Sequence, residues 1–402
     1  MATQSAPHEA VIEEVLARGV AGLYPSKEFL QERLLSGARL RLYLGIDPTA
    51  ATLHLGHAAI FLKLRAFQAL GHEVVLLVGD FTGLIGDPTD KAAARPRRTR
   101  EELLVNAQKY QEQASRFLSF SGDNPARLAY NSAWLGRLSL EETLDLASHF
   151  TVQQFLERDM FQERLKAGKP VYLHEFLYPL LQGYDSVALE TDGEIGGNDQ
   201  TFNMLAGRAL MKARAGKEKF VIAMRLLTDP SGKKMGKTEG NMVTLEDPPA
   251  EVFGKVMSWP DEMIVPGFEL ITDLTMPDIE ALRGALEDGS LHPRDAKGRL
   301  ARAVAALLSG EPAAHAAEAE FEKTFREKKT PDALPEIAVP KGAVLVAALA
   351  GRLGSNANAR RRIAQGAVRE IGGEKITDPS FAVTRDMDLR IGAHDFVRLK
   401  VA

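Results

Sequence analysis

The chain has 402 residues, of which 45% are hydrophobic and 26% charged, with a formal net charge of −4 at pH 7. This length is enough for two or three domains, each with its own hydrophobic core. The absence of cysteine excludes disulfides, thiolate zinc sites and cysteine nucleophiles. The sequence has no run of eighteen apolar residues and no signal-peptide pattern in residues 1–14, so we expect a soluble cytoplasmic protein that does not enter a membrane.

The charge is unevenly distributed along the chain. Residues 341–402 carry eleven Lys and Arg against six Asp and Glu, a net +5 that leaves −9 for the remainder. A basic end of this kind is typical of a module that binds a polyanion. A solvated basic face without a partner would have the same composition, so charge alone does not decide between the two.

Residues 40–79 predict a strand, a helix and a second strand. Residues 40–46 and 73–79 are apolar runs typical of buried strands, and residues 56–70 follow a helical pattern closed by Gly71. Together they form a βαβ unit. Parallel strands of such a unit place ligands at their carboxyl ends, near helix N-termini.

The motif HLGH, residues 54–57, lies at the junction between the first strand and the helix. Its histidines would share one helix face, and Gly56 would let a nucleotide base approach the backbone. The preceding Asp47, Pro48 and Thr49 predict a turn whose N–H groups face a phosphate. Both histidines could instead be ordinary core or surface residues. As zinc ligands they lack a third partner of suitable spacing.

The second strand ends in GDFTGLIGDP, residues 79–88. Thr82 and Asp87 are therefore expected at the same sheet edge as the histidines. Lys91 and Arg95 follow on a loop. They could bind pyrophosphate or only keep the loop soluble.

Polar side chains recur at helical spacing in residues 177–185. Tyr178, Gln182 and Asp185 are spaced i, i+4 and i+7, so on a helix they share a face. Acceptors for an ammonium group beside a carboxylate for a hydroxyl suit a small zwitterion with a polar tip. A helix with one solvated face is the alternative.

A glycine pair precedes a carboxylate in EIGGNDQ, residues 194–200. Gly197 would allow close backbone approach, and Asp199 could hold two ribose hydroxyls. A simple turn is the competing explanation.

The motif KMGKT, residues 234–238, follows a further predicted strand, Phe220–Met224. Lys234 and Lys237 could stabilise negative charge as it builds on phosphates, which is when electrostatic stabilisation accelerates a reaction. The motif resembles the end of a P-loop, but Ser231 stands at the position of the first required glycine. We therefore expect a basic loop and not a P-loop.

Strand signals fade after residue 248. Helical patterns replace them at residues 278–286, 296–308 and 313–325. A linker is then marked by Pro331, Pro335 and Pro340. Gly342 opens the final basic module.

These motifs together resemble the class I aminoacyl-tRNA synthetases, and among them the bacterial tyrosyl-tRNA synthetases, over nearly the whole chain. HLGH is similar to the first signature of the class and KMGKT to the second, with Gly236 and Thr238 where serines are commoner. The DPT, GDxTGxIGDP, YxxxQxxD and GGxDQ segments are together more specific than either signature. Tryptophanyl enzymes share some of them, but not the combination of Tyr43 with Asp185.

The resemblance implies an α/β fold with a Rossmann-like parallel-sheet catalytic domain, an α-helical domain and a small α+β RNA-binding C-terminal domain. The implied boundaries are 1–247 for the catalytic domain with a connective insertion near 118–170, 248–330 for the helical domain near the tRNA anticodon, 331–341 for a linker, and 342–402 for a small domain like that of a ribosomal protein. The family is homodimeric. We expect the subunits to meet at the insertion, although a buried core would have the same composition.

The resemblance also implies a role for each matching residue. Tyrosine would be bound by Tyr43, Thr82, Asp87, Tyr178, Gln182 and Asp185, with Tyr43 and Asp185 at the phenolic hydroxyl and Asp87, Tyr178 and Gln182 at the ammonium group. ATP would be bound by Asp47, Thr49, His54, Gly56, His57, Gly197, Asp199, Lys234, Lys237 and Thr238. The implied catalytic residues are His54, His57, Lys234 and Lys237. Leu44 and Ile60 replace a cysteine and a threonine that some relatives carry.

Residues 354–368 resemble the small RNA-binding fold named after a ribosomal small-subunit protein. Arg360, Arg361 and Arg362 on a helix would suit contact with RNA phosphates. Gly372 and Gly373 fit the expected hairpin turn.

The implied reaction forms tyrosyl-adenylate and pyrophosphate from L-tyrosine and ATP, and then transfers the tyrosyl group to the 3′-terminal ribose of tRNA(Tyr). The first step needs no general base, because the attacking carboxylate is already ionised, so positioning and charge stabilisation would supply the catalysis. Mg²⁺ would arrive with ATP, without a tightly bound cofactor or a dedicated metal site. We expect selection against phenylalanine without an editing domain.

Two other classes of protein remain alternatives. One is an RNA-binding or splicing protein that kept a synthetase scaffold, and the other is a P-loop nucleotide hydrolase. Intact HLGH and KMGKT motifs argue against the first, and the missing P-loop glycine argues against the second.

Overall fold

The computed structural model describes residues 6–89, 98–228, 242–326, 334–392 and 395–401. The chain divides into two compact units, Met1–His315 and Ala316–Ala402. This division is coarser than the boundaries expected from the sequence, so those finer boundaries stay predictions. Among the described residues, no helix is both long and apolar enough to cross a lipid bilayer.

A six-stranded sheet organises the first unit. Its strands are β1 (Val20–Tyr24), β2 (Arg41–Ile46), β3 (Glu73–Val78), β4 (Arg127–Tyr130), β5 (Gly193–Gly197) and β6 (Phe220–Met224). The spatial order is β1-β6-β5-β2-β3-β4. Every neighbouring pair is parallel except β1 with β6. The expected Rossmann-like parallel sheet is therefore present, with an antiparallel edge strand that the sequence pattern did not predict.

The central strands form where apolar side chains are buried on both faces of the sheet. β2 and β3 pair in register from Arg41 opposite Glu73 to Ile46 opposite Val78. On one side of β2 lie β3 and then the edge strand β4, and on its other side lie β5 and then β6. The strand order thus reverses between β2 and β5, and a crevice at such a reversal is where open α/β sheets bind ligands.

Helices cover the sheet and continue beyond it. Up to β6 they are α1 (Ala6–Ala17), α2 (Lys27–Leu35), α3 (Leu55–Ala69), α4 (Thr82–Ile85), α5 (Arg100–Ala107), α6 (Tyr110–Ala114), α7 (Ser132–Leu135), α8 (Leu140–Ser148), α9 (Val152–Leu156), α10 (Asp159–Lys166), α11 (Leu177–Ala188) and α12 (Thr201–Ala215). After β6 follow α13 (Pro249–Met257), α14 (Ile264–Ile271), α15 (Met276–Glu287), α16 (Pro293–Ser309) and α17 (Glu311–Arg326). The last three contain the helices expected from the sequence.

The second unit has its own sheet and core. Its strands are β7 (Glu336–Val339), β8 (Ala343–Val344), β9 (Val368–Glu370), β10 (Lys375–Ile376), β11 (Ala382–Val383), β12 (Met387–Ile391) and β13 (Asp395–Val401), and its helices are α18 (Leu345–Ala350) and α19 (Asn356–Ala364). Five strands pair in the order β10-β9-β12-β13-β7. Leu345, Ile363 and Leu389 are fully buried in its core. The expected hairpin joins β9 to β10, with Gly372 at φ +77°.

Lys63 on α3 is a buried charge on a surface of this helix that does not line the cleft described below. Its Nζ donates to the carbonyl oxygen of Val15, near the C-terminus of α1. The residue is only 6% exposed. Burial, assisted by the charge of Arg18, lowers the pKa of Lys63 to about 7.

We expect Lys63→Met to raise the free energy of unfolding by more at pH 7 than at about pH 10. The folded protein releases the Lys63 proton near pH 7, and an ordinary lysine does so near 10.5. Between these values the unfolded chain binds more protons, so Lys63 makes stability rise with pH by about 1.4 kcal/mol per unit. Urea titrations of both proteins across this window would measure the difference, and a gap that stayed constant with pH would contradict the prediction.

Candidate active site

A cleft of about 280 Å³ opens at the carboxyl ends of β2, β3 and β5. It is lined by all thirteen described residues that the sequence assigned to tyrosine or ATP: Tyr43, Asp47, Thr49, His54, Gly56, His57, Thr82, Asp87, Tyr178, Gln182, Asp185, Gly197 and Asp199. Leu44 and Ile60 also line it. The structure therefore brings residues from five separate sequence segments to one place.

Two larger cavities lie elsewhere in the same unit. One of about 1130 Å³ is lined mainly by α15 and α16, and one of about 530 Å³ lies between α1 and α3. Neither gathers polar groups at the ends of parallel strands. The smaller cleft is therefore the better candidate for chemistry.

Five sequence candidates, Lys91, Arg95, Lys234, Lys237 and Thr238, lie outside the described residues. The chain that follows KMGKT is nevertheless located. Leu55 N donates to Val243 O at 3.1 Å, and Leu245 N donates to Leu53 O at 2.8 Å. Residues shortly after the second motif thus pair with the backbone around the first motif.

Asp47, at the carboxyl end of β2, connects that strand with helices α4 and α11. Its Oδ1 accepts from Thr82 Oγ1 at 2.7 Å, and its Oδ2 accepts from Tyr178 Oη at 2.9 Å. A Cβ on Gly79 would lie 2.0 Å from Asp47 Oδ1. Glycine at the end of β3 therefore makes room for the carboxylate that joins α4 to α11.

The loop after β2 differs from its expected form at one amide. Thr49 N donates to Asp47 O at 2.7 Å. This N–H group is engaged within the turn. The expectation that the loop amides are left to face a phosphate is therefore wrong for Thr49.

The deep end of the cleft, formed by Tyr43 and Asp185 and called its floor below, is polar and closed to solvent. Asp185 is 2% exposed, and its two oxygens accept from Trp134 Nε1 at 2.7 Å and Asn131 Nδ2 at 3.2 Å. Burial raises the pKa of the Asp185 carboxyl well above its usual range, and these two hydrogen bonds act in the opposite direction. Tyr43 is fully buried, with its Oη 2.9 Å from Ser186 Oγ.

Three groups that the sequence assigned to an ammonium ion lie on one side of the cleft. Asp87 Oδ1 accepts from the backbone N–H and the hydroxyl of Thr89, and its Oδ2 accepts from Gln200 Nε2 at 2.6 Å. Tyr178 and Gln182 lie one turn apart on α11. Burial, followed by the charge of Asp47, raises the pKa of Tyr178, so its hydroxyl remains protonated.

The histidine pair caps α3 instead of sharing a helix face as expected. His54 is the N-cap residue, outside the helix, and its Nδ1 accepts from Gly56 N at 3.1 Å. His57 Nδ1 accepts from His54 N at 3.2 Å, and the ring centroids are 4.0 Å apart. Desolvation, followed by the neighbouring His54, lowers the pKa of His57 well below 6.5. Because each Nδ1 accepts a hydrogen bond, each ring carries its proton on Nε2.

The glycine pair belongs to a buried central strand, so the simple-turn explanation is wrong. Gly196 and Gly197 end β5, and Asn198–Gln200 form a single 3-10 turn directly after it. A Cβ on Gly197 would lie 2.4 Å from Asp199 Oδ1. This glycine therefore allows the carboxylate to fold back over the strand end.

Sequence reasoning missed several residues of the cleft and its floor: Asn131, Trp134, Ser186, Glu194, Gln200 and Lys219. Asn131 directly follows β4 and Trp134 lies on α7 just after it, and the four residues of β4 were too short a run to separate from the insertion. Glu194 gave a detectable signal, because a carboxylate in a fully buried strand requires a partner.

Arg360, Arg361 and Arg362 lie on α19 of the second unit with exposed side chains. Arg361 donates to Asn358 Oδ1 at 2.8 Å. In the described part of the chain, no group of three or more His, Asp and Glu side chains is arranged to hold a metal ion.

This arrangement can bind a zwitterion beside a polyphosphate. The floor offers an acceptor and a hydroxyl to a polar tip, Asp87 offers negative charge to a cation, and the N-terminus of α3 with its two Nε2–H groups offers donors to an anion. The ligand groups would meet at the ends of β2 and β5.

We expect Gly79→Ala to lower the free energy of unfolding by about 1–3 kcal/mol, because the new Cβ must displace the Asp47 carboxylate. Gly254→Ala on α13 is the matched control, since its Cβ would meet nothing within 4 Å. That change should stabilise the protein by about 0.5–1 kcal/mol through helix propensity. Urea unfolding of both variants measures the contrast, and equal effects would contradict it.

Comparisons with known proteins agree on one family. The family model for tRNA synthetases class I (W and Y) matches residues 35–326. A tyrosine–tRNA ligase of Moorella thermoacetica is 43% identical over 394 residues, covering 96% of this chain and 94% of that protein. One of Thermotoga maritima is 42% identical over 400 residues, covering 98% of each.

Solved structures show the same fold. A C-terminally truncated mitochondrial tyrosyl-tRNA synthetase of Aspergillus nidulans has a TM-score of 0.66 at 23% identity, covering 78% of this chain and 94% of that one. The corresponding structure from Coccidioides posadasii has a TM-score of 0.64 at 25% identity, covering 79% and 92%.

Proposed function

Because the chain belongs to the class I tRNA synthetases of the tryptophan and tyrosine group, we propose that it is a tyrosine–tRNA ligase. It activates L-tyrosine with ATP to tyrosyl-adenylate and pyrophosphate, and then transfers the tyrosyl group to the 3′-terminal ribose of tRNA(Tyr). The observation that carries the choice of amino acid is the closed polar floor formed by Tyr43 and Asp185.

The phenolic hydroxyl of tyrosine binds at this floor. Asp185 is held in place by Trp134 and Asn131 before any ligand arrives. Phenylalanine would bring no hydroxyl to complete the hydrogen bonding of Asp185 and Tyr43 and would still exclude water from this buried site, which is costly. Selection for tyrosine therefore needs no editing step.

The ammonium group of tyrosine binds between Asp87, Tyr178 and Gln182. Asp87 is fixed by Thr89 and Gln200 and supplies the negative charge. Thr82 holds the adjacent Asp47. The amino acid is thus bound both at its phenolic hydroxyl and at its ammonium group. Its carboxylate then lies near the carboxyl end of β2 and the N-terminus of α3.

ATP binds across the carboxyl ends of β2 and β5. The Nε2–H groups of His54 and His57, with Thr49, serve its phosphates and ribose, and Asp199 accepts from the ribose hydroxyls. Gly56 and Gly197 leave room for the nucleotide at the backbone. The positions of Leu44 and Ile60 on the same wall indicate apolar contact there.

The tyrosine carboxylate attacks the α-phosphate in line, and pyrophosphate leaves. The attacking group is already ionised, so the protein contributes position and charge stabilisation. His54, Lys234 and Lys237 stabilise the charge on the departing pyrophosphate, with Lys91 and Arg95 as further candidates. Mg²⁺ enters as part of the ATP substrate complex, held mainly by phosphate oxygens.

The second unit binds RNA through α19. The three exposed arginines Arg360, Arg361 and Arg362 present adjacent positive charges, and residues 341–402 carry a net +5. Positive charge of this kind binds the tRNA backbone irrespective of sequence. We place the reaction in the cytoplasm, where the bacterial relatives would meet their tRNA.

The proposal is tested by exchange of pyrophosphate into ATP that depends on L-tyrosine. Asp185→Ala should lower the preference for tyrosine over phenylalanine by on the order of 10- to 100-fold, because a charge-assisted hydrogen bond is lost. Asp192→Ala is the control, since this carboxylate pairs with Arg33 and Lys217 away from the cleft.

Each alternative class has its own outcome in this assay. ATP hydrolysis without amino acid would indicate a nucleotide hydrolase, and no turnover would indicate an RNA-binding protein on a synthetase scaffold. Unchanged discrimination by Asp185→Ala would remove Asp185 from the hydroxyl site.

We further propose that two copies of the chain associate through the insertion near 118–170. Leu140 and Leu144 lie one turn apart on α8 and are 75% and 62% exposed, and Val152 on α9 is 62% exposed. Apolar side chains exposed on neighbouring helices are typical of a surface that a partner covers.

The double substitution Leu140→Asp with Leu144→Asp should convert a dimer to a monomer, because it places two charges in an apolar interface. Sedimentation velocity measures the state. Val105→Asp, at a residue 60% exposed on α5, is the control and should leave the dimer intact. A dimer that survived the double substitution would place the interface elsewhere.

A further inference from the structure

A buried ion pair lies beneath the floor of the tyrosine site. Lys219, just before β6, is fully buried, and Glu194 on β5 is 2% exposed. Lys219 Nζ donates to Glu194 Oε2, to Ser186 Oγ at 2.7 Å and to Met204 O at 3.1 Å. Every proton of the ammonium group is thus directed at a different acceptor.

Stability alone is a weak reason for such a pair. Removing two charges from water is costly, and apolar replacements of a buried pair are often neutral or stabilising. Helix α12 also leaves room for the Lys219 ammonium group at Gly207. A Cβ on Gly207 would lie 2.5 Å from Lys219 Nζ and 2.6 Å from Ser186 Oγ. What the pair orients is therefore the more informative question.

Lys219 of this ion pair sets the direction of the hydrogen bond between Ser186 and Tyr43. Lysine only donates, so Ser186 Oγ accepts from Lys219 and keeps its own proton for Tyr43 Oη, 2.9 Å away. Tyr43 is then the donor at its other contacts: its Oη donates to Gln182 O at 3.5 Å and is also hydrogen-bonded to the Glu194 carboxylate. A substrate oxygen in the cleft would compete with these two acceptors for the Tyr43 proton.

Tyr43 also remains a donor at physiological pH. Burial, followed by the negative charges of Glu194 and Asp185, raises the pKa of Tyr43 well above its ordinary value.

Glu194, the other member of the ion pair, orients Gln182. Glu194 Oε1 accepts from Gln182 Nε2 at 3.0 Å. Because the amide nitrogen is engaged, the amide oxygen of Gln182 is the atom left for the ammonium group of the substrate. A single ion pair thus acts on both ends of the amino-acid site.

We propose that Lys219, with Ser186 and Glu194, is a positioning element that makes the floor selective for a group able both to accept from Tyr43 and to donate to Asp185. This inference rests on the proposed function and deepens it. A phenol does both. An aryl amine donates well but accepts poorly, and an unsubstituted ring does neither, so the ion pair selects a hydroxyl over an amino group as well as over hydrogen.

The sharpest test is Ser186→Ala. This substitution removes the hydroxyl that links Lys219 to Tyr43 and keeps the ion pair of Lys219 with Glu194. Pyrophosphate exchange is measured with L-tyrosine and with para-amino-L-phenylalanine. We expect kcat/KM for tyrosine to fall about tenfold relative to the amino analogue, because Tyr43 can then turn its oxygen lone pair to an amine donor. The KM for ATP should not change.

Thr191→Ala is the matched control. Thr191 is a fully buried hydroxyl that donates at 2.8 Å to the backbone carbonyls of Arg41 and Gly193, without contact to Tyr43. This variant loses a buried hydrogen bond of the same kind and should keep the ratio of the two amino acids.

A second variant tests the charges themselves. Lys219→Met alone would leave Glu194 unpaired in the core and could prevent folding. The double variant Lys219→Met with Glu194→Gln removes both charges and keeps an acceptor for Gln182. It should show the same loss of selectivity as Ser186→Ala.

The outcomes separate this inference from the proposed function. If the unaltered protein lacks tyrosine-dependent exchange, the proposed function fails and takes the inference with it. If exchange is present but Ser186→Ala and the double variant lose activity equally towards both amino acids, or lose none, the proposed function stands and the positioning role is overturned.

Discussion

The carboxylate of Asp47 is the constraint on which the cleft depends. It stands at the end of β2 and holds Thr82 at the start of α4 and Tyr178 on α11. These helices carry the side chains on either side of the proposed amino-acid site. Because a Cβ on Gly79 would lie 2.0 Å from that carboxylate, the absence of a side chain at one strand end contributes to the relative positions of groups far apart in the sequence.

The lower part of the cleft is built from buried charge, which proteins usually avoid. Asp185, Glu194 and Lys219 are each almost fully buried. Each is compensated by hydrogen bonds that are already formed in the described structure, to Trp134 and Ser186 among others. A site organised before its ligand arrives loses less conformational freedom on binding and discriminates better between similar ligands.

The sequence predicted those features that follow from local pattern. The apolar run Phe220–Met224 is a strand with the expected bounds, and the spacing of Tyr178 and Asp185 does place them on one helix. The Glu194–Lys219 pair could not be predicted, because it arises only where β5 pairs with β6. The role of His54 as N-cap was also missed, since helix boundaries depend on which side chain reaches the first free N–H groups. Residue roles at KMGKT stay predictions.

The hydrogen bond from Trp134 to Asp185 gives the protein an intrinsic optical reporter. The chain has two tryptophans, and the other, Trp259, is 2% exposed and does not line the cleft. The indole of Trp134 therefore responds to the electric field and hydration around Asp185, whereas Trp259 lines a separate small pocket beside His54 and Gly56. Emission from the unlabelled protein is therefore expected to follow occupancy of the proposed amino-acid site.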